Sequence, residues 1–116
     1  MALGDARRGE VWRVALDPTV GSEIRKARPC LVVQRDAANL TSPTTIVCPI
    51  SDAAGRKTGL TNVPIPSREG GLTKNSVVLC NQIRTVDNRR LQKRLGSISA
   101  KSLASVEAGL RAILDL

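Results

Sequence analysis

The feature that most constrains the fold is the last stretch of the sequence, which is the longest one with helical periodicity. The apolar residues that recur there at the spacing of one helix face are Leu103, Val106, Leu110 and Ile113. The Ser99 hydroxyl precedes them and can cap the first turn. The spacing predicts a helix over residues 100–114, in which Gly109 allows close packing against a neighbour.

The rest of the chain consists of short apolar runs separated by Gly, Pro and charged residues. Runs with a strand pattern lie at residues 10–16, 30–34, 44–50, 61–65, 76–80, 82–86 and 95–98. The runs at 76–80 and 82–86 form one long strand or two strands joined by a bulge. Pro49 fits best at a bulge, an edge or a strand end. Residues 35–42 and 87–94 are polar, and we expect a turn or a short helix at each. The pattern predicts a mainly β (α+β) fold of roughly five to seven strands, a small, strongly bent barrel capped by the C-terminal helix.

A chain of 116 residues is expected to form one domain over residues 1–116, with residues 1–8 as a flexible N-terminal arm. The first ten residues contain no apolar stretch of the kind found in signal peptides. No run approaches the length that spans a bilayer. We therefore expect a cytoplasmic protein that makes no membrane contact.

Histidine is absent, which excludes several kinds of catalytic and metal site. The chain is neither a His-pair ribonuclease, nor a Ser-His-Asp hydrolase, nor a C₂H₂ zinc finger. Cys30, Cys48 and Cys80 are widely spaced, each in or beside an apolar run, and no CxxC pair occurs. We expect buried free thiols in a reducing compartment, no metal site and no cofactor.

The net charge of +8 indicates an anionic partner. RNA, DNA and an acidic protein are the candidates, and a merely soluble basic surface is the alternative. Trp12 is the only aromatic residue, so base stacking on several rings is excluded. If a nucleic acid binds, charged and polar contacts to its backbone must provide most of the affinity.

Two segments, DPTVGSEIRKARP at residues 17–29 and QIRTVD at residues 82–87, carry a family resemblance. Together with TTIVCPIS and RLGSIS, they resemble the MazF/PemK family of toxin mRNA interferases. The resemblance implies an SH3-like β-barrel with a C-terminal helix, a homodimer, and an acidic cognate antitoxin as partner. It also implies metal-independent cleavage of single-stranded mRNA by 2′-hydroxyl attack, which leaves a 2′,3′-cyclic phosphate and a 5′-hydroxyl.

Three residues are candidates for catalysis. Pro29 restricts Arg28 to extended conformations, where its guanidinium either grips a phosphate or is a solvated loop charge. Ser51 ends the run at 44–50 with a hydroxyl, and antiparallel pairing of that run with residues 30–34 brings Ser51 beside Arg28. The resemblance places Arg28 on the family's catalytic arginine and Ser51 where the family generally carries Thr. It places Glu23 on a functional glutamate, as a base or a 2′-hydroxyl contact, although a lone Glu in a basic loop is more often an ion-pair partner.

The candidate RNA-binding residues are Ser22, Arg25, Lys26, Asn81, Gln82 and Arg84. The first three share the loop of Glu23, where the basic residues either follow the RNA backbone or are solvated. Paired amides in a strand pattern are costly to bury without partners, so Asn81 and Gln82 face a groove or a polar network. The resemblance favours base or ribose contacts for them. Arg84 joins them or forms an ion pair with Asp87.

The basic run at residues 89–94 is a solvated face or a surface for the antitoxin or for RNA. Two alternatives to the toxin ribonuclease stay open at this point. One is a gyrase-poisoning toxin of the CcdB type, which has no need of a phosphate-binding Arg28 beside a hydroxyl. The other is a non-catalytic RNA-binding barrel, because Ser51 departs from the usual Thr.

Overall fold

Seven strands form one continuous antiparallel sheet in the computed structural model, which describes residues 4–16 and 27–116. The strands are β1 (Glu10–Ala15), β2 (Ala27–Val32), β3 (Thr44–Asp52), β4 (Asn62–Ile65), β5 (Ser76–Leu79), β6 (Arg84–Asp87) and β7 (Leu91–Ser97). A short helix α1 (Asp36–Asn39) follows β2, and the long helix α2 (Ala100–Leu114) closes the chain. Turns of 3₁₀ helix lie at Glu69–Gly71, Cys80–Gln82 and Asn88–Arg90.

Strand β3 organises the sheet. The order of the strands is β4-β5-β3-β2-β1-β7, and β6 also pairs with β3. One edge of β3 pairs with β2, while the other pairs first with β6, over residues 44–47, and then with β5, over residues 50–52. Pro49, which has no N–H to donate, lies where that edge passes from β6 to β5.

The sheet buries both of its faces in its centre. Neighbouring residues go to different apolar clusters: Leu31 and Cys48 pack in a cluster that includes Val106 of α2, whereas Cys30 and Val47 pack in a second cluster with Trp12. Successive side chains of a strand point to opposite faces, so both faces can be apolar only if the run is continuously apolar. This explains why CLVV and IVCPI read as uninterrupted apolar runs.

The expectation of a flexible arm over residues 1–8 is wrong for residues 4–8. Ala6 is buried in the second cluster, with 3% of its surface exposed. The Arg8 N–H donates to Asp36 Oδ1 at 2.7 Å, and the Arg8 guanidinium forms a 2.5 Å ion pair with Glu107 of α2. These partners lie far along the chain, so no local pattern could predict them.

Three smaller predictions also change. β2 begins at Ala27, inside the region expected to be a loop. The runs at 76–86 form β5 and β6, joined by a 3₁₀ turn rather than a bulge. Residues 87–94 contain a 3₁₀ turn and then the start of β7, which continues through the short strand expected at 95–98.

Helix α2 begins and ends where the sequence predicts, with the Ser99 hydroxyl accepting a hydrogen bond from the Ser102 N–H at 3.1 Å. Val106 is fully buried, but the predicted apolar stripe stops short of Ile113, which is 43% exposed. Gly109 is buried against the sheet: a Cβ there would lie 2.5 Å from the Leu60 carbonyl oxygen and 2.9 Å from Cys80 Sγ. The close packing expected of this glycine is therefore present.

We predict that Gly109→Ala destabilises the fold by about 1–3 kcal/mol, because the new methyl group must displace backbone as well as side-chain atoms. Alanine is the better helix former by about 1 kcal/mol, so a loss of stability would isolate the packing effect. The measurement is thermal or urea unfolding followed by circular dichroism. Ser105→Ala, on the exposed side of the same helix, is the control and should stay within about 0.5 kcal/mol. A Gly109→Ala protein as stable as the parent would contradict the close packing.

Candidate active site

A pocket of about 280 Å³ opens where the second apolar cluster ends. Its lining consists of Leu16, Arg28, Pro49, Ile50, Ser51, Arg56, Leu79, Gln82 and Arg84. Among the described residues that line it, three are arginines and none is a carboxylate. The described lining is therefore positively charged and suits an anionic ligand.

The sheet register brings Arg28 and Ser51 together, as the sequence predicts. The β2–β3 pairing ends at Cys30 and Pro49, and its antiparallel register, continued by two residues, leads to Arg28 and Ser51, which line the same pocket. Residues opposite one another point to the same face. Arg28 also stands opposite Val14 of β1, at the end of a row of side chains that begins with the buried pair Trp12 and Cys30. The apolar row ends at Arg28, and the pocket begins there.

Arg84 reaches the pocket from the other edge of β3. It pairs with Val47, which belongs to the second cluster, so its side chain lies on the same face as Arg28. Gln82, in the 3₁₀ turn before β6, also lines the pocket, whereas its exposed neighbour Asn81 does not. The structure thus brings Gln82 and Arg84 to the candidate site and leaves Asn81 outside the pocket lining.

A second pocket, of about 190 Å³, lies on the other side of the same pair. It shares Arg28, Ile50 and Ser51 with the first pocket, and its lining includes Lys74, whose ammonium lies 3.4 Å from Asp52 Oδ2. Arg28 and Ser51 therefore stand between two concavities. A chain-like ligand that crosses them can place one unit on each side.

Arg56 is the site residue that the sequence analysis missed. Its Nε–H donates to Ser51 Oγ at 2.9 Å, and its side chain lines the first pocket. A turn after β3 brings it back: the Arg56 N–H donates to the Ala53 carbonyl at 3.1 Å, with Gly55 at φ +74° between them. A positive φ at this position of a turn favours glycine. The sequence Asp-Ala-Ala-Gly-Arg was the signal from which this return could have been found.

The remaining predicted residues, Ser22, Glu23, Arg25 and Lys26, lie outside the described residues. The described carboxylate nearest to the pair in sequence is Asp52, which lines only the second pocket. A hydrogen bond from the Ala54 N–H, together with contact to Lys74, lowers the pKa of Asp52 below its usual value. Asp52 is therefore ionised and held by its own turn and by Lys74.

The basic run at residues 89–94 does not line either pocket. Arg89 Nε donates to Asp87 Oδ1 at 3.1 Å, and this hydrogen bond lowers the pKa of Asp87. Arg94 Nε donates to Glu10 Oε2 at 2.6 Å, and Arg90 donates to the Ala15 carbonyl at 3.2 Å. Much of this run thus serves to hold neighbouring strands and turns.

Within residues 4–16 and 27–116, no group of three or more His, Cys, Asp or Glu side chains is arranged to hold a metal ion. In the same part of the chain, no helix is long and apolar enough to cross a membrane.

The sequence of the chain matches a known protein family. The family of PemK-like, MazF-like toxins of type II toxin–antitoxin systems matches residues 7–114. The chain belongs to this toxin family. A relative from Staphylococcus epidermidis, Endoribonuclease MazF, is 38% identical over 110 residues, which cover 95% of this chain and 92% of the relative.

Solved structures of the toxin family share the fold. A MazE–MazF crystal structure from Deinococcus radiodurans contains a chain with a TM-score of 0.79 and 26% identity, and the match covers 96% of each chain. An endoribonuclease in complex with its cognate antitoxin from a mycobacterial species gives a TM-score of 0.78 at 22% identity, again over 96% of each chain. The expected mainly β, SH3-like fold with a C-terminal helix is confirmed.

The buried thiols are poor nucleophiles, although Cys30 lies close to the pocket arginines. Burial raises the pKa of Cys30 to about 12, against the opposing effect of Arg84 and Arg28, and it raises the pKa of Cys48 to about 12 as well. Burial also raises the pKa of Cys80. A cysteine with a pKa near 12 is about one part in ten thousand thiolate at pH 8.

We therefore predict that the folded protein resists iodoacetamide at pH 8, with modification at least about a hundredfold slower than in denaturant. The same reagent in urea should label all three cysteines. Mass spectrometry of both samples measures how much of each cysteine is modified over time. Rapid labelling of Cys30 in the folded protein would contradict its burial.

Proposed function

We propose that this chain, as a toxin endoribonuclease of the family, cleaves single-stranded mRNA at the pocket that Arg28 and Ser51 share. The observation that carries the proposal is the pocket lining beyond the last β2–β3 pair, where the Arg28 guanidinium and the Ser51 hydroxyl come together and the described residues include no carboxylate. The 38% identity to Endoribonuclease MazF over most of both chains supports RNA as the substrate.

The proposed reaction is an internal transfer at one phosphate. The ribose 2′-oxygen forms a bond to phosphorus while the bond from phosphorus to the 5′-oxygen of the next nucleotide breaks. The 2′-hydroxyl loses its proton to Glu23 or to water, and the leaving 5′-oxygen takes a proton from water. The products are a 2′,3′-cyclic phosphate and a 5′-hydroxyl.

Arg28 stabilises the charge that builds up on the phosphate oxygens. A guanidinium gives up its proton too reluctantly to be a general acid, so electrostatic stabilisation is its role. Ser51 donates a hydrogen bond to the same phosphate. Glu23 positions or deprotonates the 2′-hydroxyl, in keeping with its place in the family motif and with the lack of another acid in the described pocket lining.

The RNA-binding roles divide along the groove. Gln82 and Arg84 line the first pocket, where they contact a base or a ribose. Asn81 lies beside them on the exposed turn and extends this contact outward. Leu16 and Arg28 both line the pocket. The segment between them contains three residues that follow the RNA backbone: Ser22, Arg25 and Lys26.

The proposed protein partners are an acidic antitoxin and a second copy of this chain. The Deinococcus radiodurans structure is a MazE–MazF complex, and it supports an antitoxin as partner. The positive pocket suits an acidic segment that competes with RNA. A gyrase-poisoning toxin of the CcdB type is not favoured, because the family and the endoribonuclease relative both match nearly the whole chain.

We predict that Arg28→Ala lowers cleavage by about 10²–10³-fold, the range for the loss of one preorganised group that stabilises charge. Ser51→Ala should cost about ten- to a hundredfold, because a neutral hydroxyl is the weaker donor. The double variant should lose less than the product of the single losses, since both groups act on one phosphate. Ser51→Thr keeps the donor and should retain activity.

These rates are measured on a single-stranded RNA with a fluorophore and a quencher, and fragment ends are identified by mass. Arg13→Ala is the matched control, because Arg13 is an exposed arginine of β1 that lines neither pocket. Thermal unfolding verifies that each variant is folded. If Arg28→Ala cut RNA as fast as the parent, the site assignment would be wrong.

We also predict full activity in excess EDTA. The described residues offer no metal cluster, and the chain has no histidine, so the charge of the phosphate must be met by arginine and hydroxyl donors. The Arg28→Ala protein, purified in parallel, excludes a contaminating nuclease. Loss of cleavage in EDTA with recovery on added Mg²⁺ would overturn the mechanism.

A further inference from the structure

The Arg56 side chain forms a direct hydrogen bond with the Ser51 hydroxyl. Its Nε–H donates to Ser51 Oγ at 2.9 Å, the usual length of a good N–H···O hydrogen bond. A serine oxygen has one hydrogen to donate and two lone pairs with which to accept. A guanidinium can only donate, so one lone pair is filled and the serine hydrogen must point away from Arg56.

We infer that Arg56 is a positioning residue that acts through Ser51: it holds the hydroxyl in one rotamer and keeps it as a donor to the scissile phosphate. The inference rests on the proposed function of the pocket. A serine lacks the second Cβ substituent that restricts χ1 in threonine, so its hydroxyl has several orientations available unless a neighbour selects one. The charge-assisted hydrogen bond from Arg56 makes that selection.

The same hydrogen bond also strengthens the donor. A hydroxyl that accepts from a cation is polarised, and it becomes a better donor to its next partner. The next partner in the pocket is an anionic phosphate, held also by Arg28. Arg56 thus strengthens the hydrogen bond that Ser51 donates to the phosphate in the transition state, and it does so without contacting the phosphate.

The turn after β3 is built to hold Arg56 there. The Ala53 N–H donates to the Asn75 carbonyl at 2.9 Å, which ties the start of the turn to the residue before β5. The Ala54 N–H donates to Asp52 Oδ1 at 2.9 Å, and the Arg56 N–H closes the turn on Ala53. Gly55, at φ +74°, supplies the backbone conformation that the turn requires. These backbone hydrogen bonds therefore fix the point from which the Arg56 side chain reaches Ser51.

A double-mutant cycle tests the inference. We compare Arg56→Gln, Ser51→Ala and the double variant, and measure kcat and KM separately on one single-stranded RNA. Arg56→Gln should lower kcat about tenfold and change KM by less than about twofold, because the interaction gains strength only in the transition state. In the Ser51→Ala background, Arg56→Gln should have no further effect on kcat, since the hydroxyl through which it acts is gone.

Two further variants sharpen the result. Lys57→Gln removes the same charge from the next residue, which does not line the pocket, and should leave kcat unchanged. Gly55→Ala keeps Arg56 but strains the turn, and should reproduce part of the Arg56→Gln loss. In the folded protein without RNA, the Arg56 Nε–H resonance in an NMR spectrum should shift in Ser51→Ala and stay in place in Lys57→Gln.

The outcomes separate the inference from the function on which it rests. Suppose that Arg28→Ala is inactive, as the proposed function requires. If Arg56→Gln then raises KM, or still lowers kcat tenfold in the Ser51→Ala background, Arg56 contacts RNA directly. In that case the inference is wrong and the proposed function stands. If Arg28→Ala remains active, the proposed function of the pocket fails and the inference fails with it. A loss in kcat that disappears in Ser51→Ala, together with the resonance shift, supports the positioning role.

Discussion

The candidate site depends on one strand that is paired along both of its edges. Val47 of β3 pairs with Val32 on one side and with Arg84 on the other, so β3 cannot slide past either neighbour. A slip by one residue would move every side chain to the opposite face, and both faces here are buried. The same register that fixes β3 therefore fixes the approach of Arg28 from β2 and of Arg84 from β6. The turn that follows β3 adds Arg56.

The second apolar cluster sets the character of this pocket. The buried residues Trp12, Cys30 and Val47 form part of its core, and the pocket opens at the end of that core. Charges next to an apolar wall interact more strongly than charges surrounded by water, because the local dielectric constant is lower. A guanidinium placed there stabilises a phosphate better than one on an open surface. The fold thus uses its hydrophobic core to strengthen the site as well as to hold the strands.

What the sequence could predict is what local patterns and strand register encode. The boundaries of α2 follow from its cap and periodicity, and the meeting of Arg28 with Ser51 follows from antiparallel pairing of two apolar runs. The packed segment before β1 escaped prediction because its partners are remote: Glu107 lies ninety-nine residues beyond Arg8. The local sequence Asp-Ala-Ala-Gly-Arg signals the turn that returns Arg56, but the hydrogen bond that ties this turn to Asn75, on the far side of β4, has no local signal.

The distribution of acids explains why the positive charge is concentrated at the pocket. Several described carboxylates hold the fold together: Asp36 accepts from the Arg8 N–H, Glu10 accepts from both Trp12 and Arg94, and Asp87 from Arg89. Each of these carboxylates pairs with a basic side chain or with a backbone N–H away from the pocket. The described pocket lining is left with arginines and no carboxylate.

Arginines gathered in one place repel each other, and this repulsion is relieved when an anion binds between them. The two apolar clusters stabilise a fold that holds these positive charges close together. The described lining therefore favours an anionic ligand over a neutral one.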